Sequence, residues 1–176
     1  MNIPIERTKT QKTIPPSKDF GFGKHFSDHM AIVEYTSKGG KERSWHSPRI
    51  VPYGPLLIDP GAAVLHYGQE LFEGLKAYRG DDGKIRLFRP EMNWKRMQNG
   101  CARICMKAPP MDIFCEMLVE FCKVESRWVP KEPGCALYLR PTLIGTEPFL
   151  GVRPSNDFLF YVIGCPVGSY YGEGSQ

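Results

Sequence analysis

No apolar run in the 176 residues reaches the length needed to cross a bilayer as a helix. The opening Met1-Asn2-Ile3-Pro4-Ile5-Glu6-Arg7 has no signal-peptide core, and the Lys-, Thr- and Pro-bearing stretch from Lys9 to Lys18 lacks the Arg-rich amphipathic pattern of a mitochondrial transit peptide. A cytoplasmic location is therefore expected, with mitochondrial as the alternative. No basic block reaches five residues, and the 23 basic and 19 acidic side chains are interleaved to a net charge of +4. That is a mixed solvated surface, not a nucleic-acid face. There is no His-Glu-x-x-His and no Cys-x-x-Cys among the 4 histidines and 6 cysteines, so no metal site is expected. The cysteines fall mostly in apolar segments and read as reduced, buried thiols of a cytosolic protein. Internal repeats are absent too.

What is present is a composition 41% hydrophobic, enough for one domain with a true core. Residues 1–20 read as a flexible arm. His29 to Tyr35 alternates like a strand, and Ser37 to Lys41 is a hairpin turn into a second strand. Four prolines between Ser47 and Pro60 suggest a loop-rich connection around a short strand at Leu56-Leu57-Ile58. Leu71, Leu75 and Tyr78, widened by Phe72, sit at helical spacing. With Lys76 and Arg79 near the C-terminal end and Gly80 as a stop, they predict an amphipathic helix over 65–80.

Asp81-Asp82-Gly83 is a tight turn before a strand carrying Ile85 and Leu87. Pro90 suits the first position of a helix whose buried side is Met97, Cys101 and Ile104. Asp112 can cap a further helix to about Trp128, with Phe114, Met117, Leu118 and Phe121 as its stripe. Strands are expected over Cys135 to Ile144 and Asp157 to Cys165. Local strand pairs interleaved with helices give an α+β class with a mixed or antiparallel sheet flanked by helices.

Two places hold chemistry on their own terms. Arg96 carries a planar, permanently charged donor set that suits a phosphate as well as a surface ion pair. Tyr138, Arg140 and Thr142 share one face of a strand whose other face holds Leu137 and Leu139. Such a face is either solvent-facing or the wall of a site.

The stretch Leu65-His66-Tyr67-Gly68-Gln69-Glu70-Leu71-Phe72-Glu73-Gly74-Leu75-Lys76-Ala77-Tyr78-Arg79-Gly80 resembles the active-site helix of branched-chain amino acid aminotransferases, pyridoxal phosphate (PLP) enzymes of fold type IV. The resemblance runs from about Gly21 to Tyr170 and corresponds to the smaller, N-terminal domain of a two-domain enzyme. It implies that Arg96 holds the cofactor phosphate. It also implies that Phe26, Tyr67, Phe72, Tyr138 and Arg140 line the substrate pocket. Leu150 and Val152 match a loop that reaches into the partner's pocket of a homodimer, and Tyr170 stands at the entrance to the interdomain loop.

Apolar Phe26, Phe72, Leu150 and Val152 suit leucine, isoleucine or valine. Tyr67, Tyr138 and Arg140 are expected to receive the side-chain carboxylate of glutamate or 2-oxoglutarate. The family's cofactor-bearing lysine lies in the second domain, so residues 21–167 are expected to form one half of a site and 168–176 to begin the interdomain loop. No catalytic residue is expected in this chain, and alone it should be inactive. Within the same fold, a D-amino acid aminotransferase or an aminodeoxychorismate lyase is the nearest alternative. From another class, so is a non-catalytic dimerising fragment.

Overall fold

A computed structural model describes residues 2–168 except 38 and 41; Tyr170 lies outside the described residues. Among the described residues seven strands form one sheet: β1 (His29–Thr36), β2 (Ser44–Pro52), β3 (Glu70–Phe72), β4 (Leu75–Arg79), β5 (Ile85–Leu87), β6 (Ala136–Gly145) and β7 (Phe158–Val167). Their order is β2-β1-β7-β6-β4-β5, and β3 also pairs with β6. Every pair of these strands is antiparallel. The α-helices that accompany them are α1 (Ala63–Tyr67), α2 (Pro90–Arg103) and α3 (Met111–Val124). The class is α+β, as expected.

The core lies between the sheet and α2–α3. Phe114, Met117, Leu118 and Phe121 on α3 are fully buried, as the stripe predicts, and meet Leu137, Leu139, Leu143, Phe160 and Val162 from β6 and β7. Burial of this kind contributes about 25 cal/mol per Å² of apolar surface and dominates the stability of the domain. Met97 and Cys101 of α2 are buried, but Ile104 lies past the helix end and is 38% exposed. Pro90 does open α2. The other cap differs: α3 starts at Met111 behind Pro110, which leaves Asp112 inside the first turn, and the α-helix ends at Val124 before a 3-10 turn over Ser126–Trp128. Cys101, Cys122 and Cys165 are buried, and burial pushes the Cys101 thiol up to about 11 and that of Cys122 to about 12.

The helix expected over 65–80 is replaced by three elements. Helix α1 stops at Tyr67 because Gly68 takes the left-handed conformation, φ 58°, and its N–H closes on the Val64 carbonyl. Beyond it β3 and β4 pair with β6, and the burial alternates: Leu75 and Ala77 in, Lys76 and Tyr78 out. Lys76 and Arg79 therefore do not complement a helix end. Arg79 instead donates to the Val129, Ser126 and Gly83 carbonyls. The proline-rich stretch also differs. Leu56-Leu57-Ile58 forms no strand, whereas Pro48 and Pro52 lie within β2. Strand β2 tolerates them because it stands at the edge of the sheet beside β1, and the register shifts between Ile32 and Glu34, opposite Ser47 and Pro48.

The segment read as a flexible arm lies along the domain. Ile3 is buried, Ile5 bridges to Ile50, and Glu6 donates its N–H to the Ile50 carbonyl. A buried polar network holds the next turn. The Thr8 N–H donates to His29 Nε2 at 2.9 Å, so Nδ1 carries the imidazole proton and donates it to Glu125 Oε1 at 2.5 Å. The second Glu125 oxygen accepts the Asp28 N–H at 2.8 Å. Asp28 in turn accepts from the Lys12 N–H, the Trp128 indole and the Arg127 guanidinium. Burial pushes the Asp28 carboxyl up, but these donors and the Arg127 charge outweigh it and hold the carboxyl below its ordinary range.

That sign yields a prediction. A depressed carboxyl stabilises the native state above its unfolded value of about 3.9 and loses the contribution as pH falls through the lower native value. Asp28→Asn should lower unfolding free energy at neutral pH by about 1–3 kcal/mol, because Arg127 and Trp128 lose a charged acceptor. Urea melts of variant and wild type should then converge as the pH drops below about 4.

Candidate functional site

Strand β6 divides its residues by parity. Leu137, Leu139 and Leu143 face the helices, whereas Tyr138, Arg140 and Thr142 face the other way. The register brings neighbours onto that second face: Cys165, Ile163 and Tyr161 from β7, Lys76 from β4 and Phe72 from β3. The expectation that Tyr138, Arg140 and Thr142 share a face thus holds, and the face is furnished with aromatic groups. The Arg140 guanidinium stands 4.3 Å from the Phe72 ring centroid, and its Nε and Nη2 donate to the Tyr138 hydroxyl at 3.3 and 3.0 Å. Tyr138 meets Phe22 edge-on at 5.0 Å. Phe26 joins Tyr138 and Arg140 around a cavity of about 230 Å³, and its ring stacks on Tyr53 at 5.1 Å. Phe72, at 56% exposure, offers a large apolar surface beside a fixed cation.

Tyr67, Leu150 and Val152 assemble separately, around the loop that leaves β6. The Tyr67 hydroxyl donates to the Leu150 carbonyl. Val152 and Tyr67 line a cavity of about 500 Å³ with Gln69 and Arg153. Glu147 braces the loop. Its two oxygens accept from Arg153 at 2.8 Å each and from the Asn156 N–H at 2.8 Å, and Arg153 chiefly pulls the carboxyl down to about 2. Leu150 and Val152 stand 64% and 97% exposed at the tip. Tyr67 thus lines a different cavity from the one that Tyr138 and Arg140 share.

Arg96 sits on α2 beside the break between β3 and β4. Its Nε and Nη2 donate to the two oxygens of Glu73 at 2.7 and 2.6 Å. Asn93 Nδ2 donates to the same carboxylate at 2.9 Å and lies 3.2 Å from the Gly74 carbonyl. Glu73 strengthens the hold of Arg96 on its charge. Gly74 has no room for a side chain, because a Cβ there would collide with the Tyr138 hydroxyl. The gap between the two short strands is therefore the place where the helix layer reaches the polar face of β6. Outward from it Arg96 lines an open groove of about 540 Å³ with Arg89, Lys95, Asn93 and Asn99. Three cations and the Asn99 amide on one wall suit an anionic oxygen cluster such as a phosphate. Sequence reasoning misses Glu73 and Asn93, since both look like solvated helix positions.

No protein-family model matches the chain. Among curated proteins it is 49% identical over 177 residues to branched-chain-amino-acid transaminase 1 of Bacillus subtilis, covering 98% of this chain and 48% of that protein. To the branched-chain-amino-acid aminotransferase of Mycolicibacterium smegmatis it is 48% identical over 155 residues, covering 88% of this chain and 41% of that protein. Other relatives are named as cytosolic in Rattus norvegicus and mitochondrial in Mus musculus. The fold matches the crystal structure of the branched-chain aminotransferase from the thermophilic archaeon Thermoproteus uzoniensis with norvaline. That match has a TM-score of 0.60 at 19% identity, over 81% of this chain and 42% of that one. Over nearly its whole length the chain is thus similar in sequence to branched-chain aminotransferases and shares their fold, and it spans about half the length of the curated relatives it matches.

Proposed function

We propose that this chain supplies the phosphate-holding and side-chain-sorting half of a PLP-dependent aminotransferase that exchanges amino groups between leucine, isoleucine or valine and 2-oxoglutarate. The observation that carries the reading is the cluster of Arg140, Tyr138 and Phe72 on the sheet face turned from α2 and α3, in a chain whose relatives are named for this transamination. Bound PLP would supply an electron sink for the bonds at the substrate α-carbon. The groove fits its phosphate in charge and donor type: Arg96 would hold the phosphate through the guanidinium edge that Glu73 leaves free, with Arg89 and Lys95 adding positive potential.

The same face accounts for dual substrate recognition. Phe72 and Phe26 offer rings to an aliphatic side chain. Arg140 offers its remaining N–H groups to the side-chain carboxylate of glutamate, and Phe72 and Tyr138 hold the guanidinium in place when that carboxylate is absent. A half-buried cation that keeps partners in both states avoids the cost of an unpaired charge. Exposed Leu150 and Val152 on the braced loop suit insertion into the pocket of a second copy, which makes a homodimer the expected assembly. Tyr67, hydrogen-bonded to the same loop, would travel with it. Tyr170 keeps its expected place at the mouth of the interdomain loop. Residues 21–167 form the domain unit in this reading, and the lysine that bears the cofactor belongs to the remainder of the enzyme.

Three measurements test the reading. The full-length protein should transaminate leucine with 2-oxoglutarate, whereas the 176-residue chain alone should not. Borohydride reduction of the PLP-treated chain should leave no single lysine stoichiometrically labelled. Turnover by the chain, accompanied by such a label, would contradict the division of labour. In the full-length protein Arg140→Met should slow the 2-oxoglutarate half-reaction at least about tenfold and the leucine half-reaction by under about threefold, since only the former loses a charge-assisted contact. Single-turnover rates with each cofactor form read this directly, and equal losses would remove the sorting role.

A further inference from the structure

We propose that Glu73 is a positioning residue for the cofactor phosphate, acting through Arg96; the inference rests on the PLP reading above. Glu73 is a buried carboxylate that the substrate cluster does not use. Its side chain is 2% exposed, while that of Arg96 is 71% exposed. An arginine so open would sample many rotamers without a fixed partner. Glu73 is that partner. Its own backbone is pinned where its N–H donates to the Pro141 carbonyl at 2.8 Å. Asn93, one turn before Arg96 on α2, donates to the same carboxylate and so ties the helix to it.

The pairing geometry decides what Arg96 can still do. Glu73 occupies the side edge of the guanidinium, Nε and Nη2. The end edge keeps both Nη1 hydrogens and one on Nη2, a fork that still matches two phosphate oxygens. Glu73 itself is not on the groove wall, which carries Arg89, Lys95 and Arg96 and no carboxylate. A ligand oxygen there meets cations, while the carboxylate stands behind the arginine and aims it. Preorganisation of this kind strengthens binding by removing an ordering cost.

Location adds a consequence. Glu73 lies between Phe72, which carries the Arg140 cation on its ring, and Gly74, whose missing side chain admits the Tyr138 hydroxyl. Three consecutive residues thus join the phosphate arginine to the substrate cluster. Displacing Glu73 would shift the cofactor's anchor relative to the pocket, and a fixed distance between them is what a transaminase requires.

The test uses the full-length apo-protein and two probes, PLP and pyridoxal, which lacks the phosphate. The dissociation constant of pyridoxal divided by that of PLP isolates the phosphate contribution. Glu73→Gln should reduce that ratio about tenfold, the size expected when a charge-assisted pair loses its charge. Arg96→Met should reduce it at least as much, and Glu73→Gln added to Arg96→Met should change it no further, because Glu73 has no other route to the phosphate. If Glu73→Gln does not fold, Asn93→Ser, which removes the amide that donates to the carboxylate and to the Gly74 carbonyl, should lower the ratio about threefold, the smaller value of a neutral donor. An unchanged ratio overturns the proposal. So do equal losses for both probes, which mark a merely structural role, or an undiminished effect in the Arg96→Met background. A wild-type protein that shows no phosphate preference overturns the PLP reading as well; a preference left unchanged by Glu73→Gln overturns this inference alone.

Discussion

The parity of β6 is the constraint on which the rest depends. Ten successive pairs with β7 lock its register. On one face this register sends Leu137, Leu139 and Leu143 into the core, and on the other it holds Tyr138, Arg140 and Thr142. A slip by one residue would drive Arg140 among the α3 aromatics and expose three leucines. An unpaired charge in such surroundings costs several kcal/mol, more than a surface loop can recover. The core and the site are thus specified by the same hydrogen bonds. Stability of the domain and placement of Arg140 cannot be altered independently.

Two polar assemblies extend this constraint outward. At one end of the sheet, Asp28, His29 and Glu125 fasten β1 to the end of α3 and draw in the N-terminal segment through Thr8 and Lys12. Each member of that trio is nearly or fully enclosed, so each needs its partners; losing any one leaves a desolvated polar group. In the other assembly, the break at Glu73 and Gly74 interrupts what would be one long strand beside β6. The interruption weakens the ladder locally. In exchange it opens a passage between the helix layer and the polar face, filled by Arg96, Asn93 and the Tyr138 hydroxyl. The groove on α2 and the aromatic cluster on β6 are therefore one connected structure.

How much of this is readable from sequence depends on whether local pattern and tertiary pairing agree. They agree for β1, β6 and β7, where alternation or a continuous apolar run meets turn residues at the ends, and for the apolar stripe of α3. They disagree over 65–80. Leu71, Leu75 and Tyr78 satisfy a helical period, but Leu75-Lys76-Ala77-Tyr78 satisfies a strand period equally, and pairing with β6 decides the matter. Pro48 disguises the second half of β2, after the start that the hairpin turn announces, because an edge strand with an irregular register accepts what a central strand rejects. The arm looks free in the sequence because its attachments, the buried Ile3, the Ile5–Ile50 bridge and isolated long-range hydrogen bonds, leave no periodic trace.

Among site residues, strand parity places Tyr138 with Arg140, and resemblance adds Phe26, Phe72 and Arg96. Glu73 and Asn93 escape such reasoning because a carboxylate beside a supposed helix face reads as solvated. Only the fold shows Glu73 buried. Tyr67, Leu150 and Val152 keep company with one another and not with Arg140.

The most direct measurement of the central claim is a crystal structure of the full-length protein with PLP bound. It should place the cofactor against the polar face of β6, with phosphate oxygens on the end edge of Arg96 and the Glu73 carboxylate still on its side edge. A cofactor seated away from that face, or a phosphate held without Arg96, would contradict the account.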